Sequence, residues 1–192
     1  NPLAPIRNVL EIMRLNAADG PLMNWSRDII DRHVQQMRHL VDDLMEASRF
    51  TQGKVELRKR YIALADVLHQ AVESTSALTQ EFNHELLIEL PVEPIEIYAD
   101  ATRLIQIVSN LLTNAVKYTP AGGKIFLSAS SVGDEAIISI RDTGIGIPKD
   151  QLFNVFNMFS QLSPALERSQ GGLGIGLALV RGLIELHGGK IM

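Results

Sequence analysis

Apolar positions near the start of the chain recur at coiled-coil spacing. Leu3, Ile6, Leu10 and Met13 step by three, four and three, and Ile30, Val34, Met37, Val41 and Leu44 by four, three, four and three. Such a seam predicts two helices, each with a narrow apolar stripe. Between them Asn16-Ala17-Ala18-Asp19-Gly20-Pro21 reads as a turn, with Gly closing one helix and Pro near the start of the next. Two narrow seams cannot enclose a core by themselves. Either the hairpin packs on the rest of the chain or it pairs with a second copy as half of a four-helix bundle, and the heptad spacing favours the homodimer.

The pattern changes after Arg49-Phe50-Thr51-Gln52-Gly53, where Lys54-Val55-Glu56-Leu57 reads as a hinge, so a domain boundary is expected between residues 53 and 54. Beyond it, Asp66 is expected to cap a helix through Val67, Leu68, Ala71, Val72 and Leu78. Glu85 to Leu90 and Ile95 to Ala99 read as short strands around Pro91 and Pro94, and a long helix is expected over 101–118, stopped by Thr119-Pro120-Ala121-Gly122-Gly123. A hairpin of Lys124 to Ser130 and Glu135 to Arg141 follows, turning at Val132-Gly133-Asp134. Leu173 to His187 reads as a helix closed by Gly188-Gly189, and Lys190-Ile191-Met192 as the start of a last strand.

Composition narrows the function. With 46% hydrophobic residues and a net charge of −4, the 192 residues are neither disordered nor basic enough for general nucleic-acid or anionic-membrane binding. Zero cysteines exclude disulfides, thiolate catalysis and cysteine-bearing zinc sites, and fit a cytoplasmic setting. No run approaches the roughly 20 apolar residues that span a bilayer, so no membrane contact is expected of this stretch. Asn1-Pro2-Leu3 reads as an internal point of a longer protein.

The 101–118 helix divides into two faces. Leu104, Val108, Leu111, Leu112 and Ala115 make an apolar stripe, and Arg103, Gln106, Asn110, Asn114 and Lys117 lie opposite. Asn weakens helices, so two of them near one another on a polar stripe give up stability that Glu or Lys would have kept. The face is either ordinary solvated surface or an amide pair for hydrated Mg²⁺ and polyphosphate, with Lys117 supplying positive charge. Next, Asp142-Thr143-Gly144-Ile145-Gly146-Ile147-Pro148 leaves a strand. It is either a tight loop or a carboxylate that accepts from an exocyclic amine while the glycines let the backbone pass close to a flat base. In Gly171-Gly172-Leu173-Gly174-Ile175-Gly176-Leu177 a glycine run opens an amphipathic helix, which places bare N–H groups where phosphates can sit.

Taken in order, these segments resemble the histidine-kinase branch of the ATPase superfamily shared with gyrase, the Hsp90 chaperones and MutL. Asn110 to Pro120 resembles its N box, Asp142 to Pro148 the G1 box, Phe153 to Phe159 the F box and Gly171 to Leu177 the G2 box. Leu40 to Arg49 resembles the second helix of the dimerisation and histidine-phosphotransfer domain. The wording around Phe159-Ser160-Gln161 and Glu167-Arg168-Ser169-Gln170 leans towards hybrid kinases with a receiver domain further on. The resemblance implies residues 1–53 as a partial dimerisation and phosphotransfer domain and 54–192 as an α/β two-layer sandwich, a mixed sheet covered on one face by three helices.

It further implies ATP and Mg²⁺ as cofactors, a response-regulator receiver domain as partner, and a set of residue roles. Asn114 would ligate Mg²⁺, with Asn110 contributing to the metal–phosphate site, Lys117 contacting phosphates and Tyr118 lining the pocket. Asp142 would accept from the adenine amino group, with Gly144, Gly146 and Ile147 passing the base. Gly172, Leu173, Gly174, Gly176 and Leu177 would shape a lid over about 149–173, anchored by Phe156 and Phe159, and Arg168 would reach the terminal phosphate. The family's H box reads His-Glu-x-x-Asn-Pro-Leu, so the resemblance places the acceptor histidine four residues before Asn1, which would itself orient a water for dephosphorylation. None of His33, His39, His69, His84 and His187 is expected to substitute. Two other readings stay open: a non-catalytic nucleotide-binding regulatory module of the same fold, and an ATPase clamp doing mechanical work.

Overall fold

The computed structural model describes residues 6, 9, 10, 13, 20–160 and 173–192. The chain divides into two compact units, Asn1–Thr51 and Gln52–Met192, two residues ahead of the expected boundary.

In the first unit Ile6, Val9, Leu10 and Met13 are helical, and α1 spans Gly20–Thr51, 32 residues or about 48 Å. Pro21 sits in its first turn, where a missing N–H costs nothing. At the other end the Thr51 hydroxyl donates back to the Ala47 and Ser48 carbonyls and Gly53 takes φ +63°, so the helix stops where the hinge was expected. Along α1 the seam residues Val34, Val41 and Leu44 are exposed, and Ile30 and Met37 half-buried. Leu3 and the Asn16 to Asp19 part of the turn lie outside the described residues.

The second unit contains β1 (Arg60–Ala63), α2 (Leu64–Glu81), β2 (Glu85–Glu89), β3 (Glu96–Ala99), α3 (Ala101–Tyr118), β4 (Lys124–Val132), β5 (Glu135–Asp142), a 3₁₀ turn at Lys149–Gln151 and α4 (Gly176–His187). Strand β1 pairs antiparallel with β3, and β2 pairs parallel with β4, which pairs antiparallel with β5. The strands thus form a two-stranded and a three-stranded ladder, where one mixed sheet was expected. Pro91 and Pro94 lie between β2 and β3, and proline cannot donate to a ladder, so β3 finds its partner in β1.

Along β4, Ile125, Leu127 and Ala129 alternate inward and are buried against Leu64, Leu68 and Ala71 of α2 and Val108, Leu112, Ala115 and Val116 of α3. A second cluster joins Leu104 and Ile107 of α3 to Val180 and Leu183 of α4. Helix α3 is therefore covered on two flanks. That corrects the single stripe: Ile107 and Val116 are buried, and Leu111 is half-buried at the α4 side.

Three boundaries also differ. Helix α2 starts at Leu64 with Ala63 before it, so Asp66 lies inside the first turn and caps nothing; there its charge complements the helix dipole. Helix α4 starts at Gly176, because Gly174 at φ +67° keeps the preceding residues out of the helix. Residues 189–192 form no strand.

Candidate functional site

Helix α3 is fixed at its start by Asp100. Its Oδ1 accepts the Arg103 N–H at 3.2 Å, the N-cap bond, and its Oδ2 accepts the Arg58 N–H at 2.9 Å. Burial pushes the Asp100 carboxyl up, but the backbone N–H groups of Arg58, Arg103 and Thr102 and the Arg103 charge outweigh it and hold the group below the usual carboxylate value. The polar face runs on from there. Arg103 Nη1 donates to Gln106 Oε1 at 2.9 Å, and Asn110, Asn114 and Lys117 follow, all half-buried. At the far end the Lys117 ammonium stands 5.4 Å from the centre of the Tyr118 ring, a cation–π distance.

The loop after β5 is built onto that far end. Ile145 N–H donates to the Tyr118 carbonyl at 3.1 Å, one of the carbonyls that a helix terminus leaves open. Gly144 lies so near that a Cβ there would stand 2.4 Å from the Tyr118 oxygen and 2.6 Å from Asp142 Oδ1, so only glycine fits. Thr143 fastens the other side: its N–H donates to the Lys124 carbonyl and its Oγ1 accepts the Lys124 N–H, both at 3.0 Å. Asp142 Oδ1 accepts the Gly144 N–H at 2.8 Å, which orients the exposed carboxylate. Among the described residues no donor reaches its Oδ2. Gly146 has φ +69°, and Ile145 and Ile147 present apolar surface beside it.

The second glycine region closes on itself. Phe159 N–H donates to the Gly174 carbonyl at 3.0 Å, with Phe159 at φ +63° and Gly174 at φ +67°, so a backbone bond joins the two ends of the segment between them. Phe159, expected with Phe156 to anchor the lid, is 62% exposed. The buried residues here are Val155 and Ile175, and Phe156 is half-buried. Leu173 and Leu177 are half-buried. Helix α4 then begins at Gly176 with no side-chain cap, leaving its first N–H groups to other acceptors. Asn1, Arg168 and Gly172 lie outside the described residues.

Among the described residues no three His, Asp or Glu side chains form a metal cage. The oxygen donors on the polar face of α3 are neutral amides. This set suits a hard cation that arrives with its own anionic ligands, as Mg²⁺ does on a polyphosphate. An open groove of about 440 Å³ between Pro91–Glu96 and Ser131 touches none of these residues. It lies beside the end of β4 remote from Ile125, the partner of Asp142.

Sequence reasoning missed four contributors: Asp100, Gly123, Thr143 and His187. A Cβ on Gly123 would meet the Thr119 and Thr143 side chains at 2.3 and 3.0 Å. Asp100 carried a legible signal, an Asp directly before a helical run. Thr143 and His187 act through partners remote in sequence and carried none.

Residues 99–192 match the family described as histidine kinase-, DNA gyrase B- and HSP90-like ATPase. The circadian input-output histidine kinase CikA of Synechococcus elongatus is 36% identical over 182 residues, 92% of this chain and 24% of that protein. The sensor histidine kinase WalK of Bacillus subtilis is 30% identical over 199 residues, 99% of this chain and 31% of that protein. Full-length ShkA, solved in complex with AMPPNP, superposes with a TM-score of 0.70 at 27% identity over 94% of this chain and 38% of that one. The chain thus spans about a quarter to a third of the curated relatives it matches here. Residues 99–192 carry the Asn110–Lys117 face, the Asp142 loop and the Gly174–Gly176 helix start, and over them the chain belongs to the histidine kinase-, DNA gyrase B- and HSP90-like ATPase family, with sensor histidine kinases as its relatives.

Proposed function

We propose that this chain binds ATP with Mg²⁺ and supplies the kinase core that transfers the γ-phosphoryl group to the Nε2 of a histidine on a dimerisation domain, and thence to an aspartate of a response regulator. The observation that carries this reading is the joint between the end of α3 and the Asp142 loop. Ile145 N–H on the Tyr118 carbonyl, with Gly144 packed beneath, holds the face carrying Asn114 and Lys117 at a fixed distance from the Asp142 carboxylate. One ligand with a base at one end and phosphates at the other fits both.

In this reading Asp142, already oriented through Oδ1, accepts the adenine amino group on Oδ2. Ile145 and Ile147 cover the ring, and Asn110 and Asn114 face the metal and the phosphates. Lys117 exchanges the Tyr118 ring for phosphate oxygens. The uncapped start of α4 supplies N–H donors. Mg²⁺, held by Asn114 and Asn110 together with the phosphates, would supply charge neutralisation there. The chain's own contribution is positioning and charge complementarity, which supply most of the catalysis in phosphoryl transfer. The exposed seam of Val34, Val41 and Leu44 suits a homodimer, and the setting is the cytoplasm.

The test is radiolabelled ATP with this chain and with the same chain extended upstream by about two helical turns. Acid-labile, base-stable label on the extended protein supports the kinase reading. Nucleotide binding without label on either protein would favour the regulatory module instead. Label of that kind on the short chain alone would place the acceptor among His33, His39, His69, His84 and His187.

A further inference from the structure

Away from the loops just described, the opposite ends of α3 and α4 are tied together by side chains that the nucleotide reading does not use. The Asp100 N–H donates to His187 Nε2 at 3.1 Å, and His187 Nδ1–H donates to the Leu183 carbonyl at 2.8 Å. Both ring nitrogens are engaged, which fixes the neutral tautomer with its proton on Nδ1. Lys59 Nζ donates to the Leu186 carbonyl at 3.0 Å, and Arg58 N–H holds the Asp100 carboxylate. Asp100 thus caps α3, anchors residue 58 and grips the last turn of α4, to which Lys59 adds a second bond.

We propose that Asp100 and His187 are a positioning pair that sets the axial register of α3 against α4, and with it the spacing of the polyphosphate contacts. The proposal rests on the nucleotide reading above. Helix α4 spans eleven steps from His187 back to Gly176, about 16 Å at 1.5 Å per residue, and the same length along α3 from Asp100 ends near Leu111, between Asn110 and Asn114. The packed residues between the helices, Leu104 and Ile107 with Val180 and Leu183, are aliphatic and impose no directional constraint of their own. The hydrogen bond at the far end is directional and does. Adenine recognition, in contrast, sits on the loop after β5, fastened to Tyr118 and Lys124 and not to α4. A slip of α4 should therefore weaken phosphate binding and spare the base.

The test compares MgATP with AMP, on the intact chain, by calorimetric titration. His187→Phe keeps the ring volume and removes both hydrogen bonds. It is expected to weaken MgATP about tenfold, as loss of a part-buried hydrogen bond near 1.4 kcal/mol implies, and to leave AMP within about twofold. His187→Gln, which can still accept from the Asp100 N–H, should restore most of the loss. Lys59→Met, a milder change at the same end, should shift the MgATP to AMP ratio in the same direction by about threefold, and it serves if Phe at 187 prevents folding. An unchanged ratio in the folded variants, or equal loss of both ligands without rescue by Gln, overturns the positioning role. Failure of the parent chain to bind either nucleotide would instead overturn the nucleotide reading itself.

Discussion

Gly144→Ala should damage nucleotide binding more than it damages the fold. The φ of Gly144 is not in the left-handed region, so the cost arises from contact alone: a Cβ would stand 2.4 Å from the Tyr118 carbonyl oxygen, 2.6 Å from Asp142 Oδ1 and 2.9 Å from the Tyr118 carbonyl carbon. Two of these are backbone atoms that cannot rotate away. Reaching ordinary contact means a retreat of about 1 Å, which carries the Ile145 N–H from 3.1 Å beyond hydrogen-bond range of Tyr118 and strains the 2.8 Å bond between Gly144 N–H and Asp142. A neutral bond contributes about 1 kcal/mol and one to a charged group about 1.5–3, so the joint loses roughly 2–4 kcal/mol. Part of this relaxes in an exposed loop. The expected result is a melting free energy lower by about 1–2 kcal/mol and MgATP affinity lower by at least about tenfold. Gly133→Ala is the control: its φ of +59° costs a similar local strain of about 1–2 kcal/mol, with open space around the new methyl in the remote β4–β5 turn. Thermal denaturation and calorimetric titration of both variants read the two effects. Equal affinities for the two variants would refute the idea that the Tyr118–Gly144 joint holds the site together.

Asn114→Ala should remove most of the Mg²⁺ dependence of ATP binding, read by titration with and without the metal; an unchanged metal response would move the ligand elsewhere on α3. Asp100 has its carboxyl held below the usual value in the folded chain, so it contributes stability above about pH 4 that is lost as the pH falls through the folded value. Asp100→Asn should accordingly cost about 1 kcal/mol at pH 7 and progressively less as the pH falls below about 4, measured by denaturant unfolding across that range. Val34→Glu with Val41→Glu places charge on seam positions that are 47% and 58% exposed, and light scattering should report a monomer where the parent self-associates; identical masses would point to another interface.

Legibility in the sequence followed the range of the interactions. The 101–118 helix and the β4–β5 hairpin rest on local periodicity and turn residues, and both fell at their expected positions within one or two residues. Strand β1 went unread because Arg60 to Ala63 is four residues long and owes its existence to pairing with β3, 35 positions away at Ile62 and Ile97. The expected Asp66 cap failed for a related reason. Leu64 is buried under β4 and its N–H donates to the Ile95 carbonyl, so tertiary contacts start the helix three residues earlier than the capping preference indicates. Of the site, the Asn, Asp and Gly residues stood out because their types are costly or unusual where they occur. The Tyr118–Ile145 bond and the Phe159–Gly174 bond use backbone atoms, which any residue provides, and no side-chain pattern announces them.

The central claim is that the end of α3, the Asp142 loop and the start of α4 form one adenine-nucleotide site. The direct measurement is a backbone amide NMR titration of the chain with a non-hydrolysable ATP analogue and Mg²⁺. Saturable shifts grouped at Lys117, Tyr118, Gly144, Ile145, Gly146, Gly174 and Gly176, sharing one dissociation constant, are the predicted result. Shifts confined to the Pro91–Glu96 groove, or no saturable shift, would contradict it.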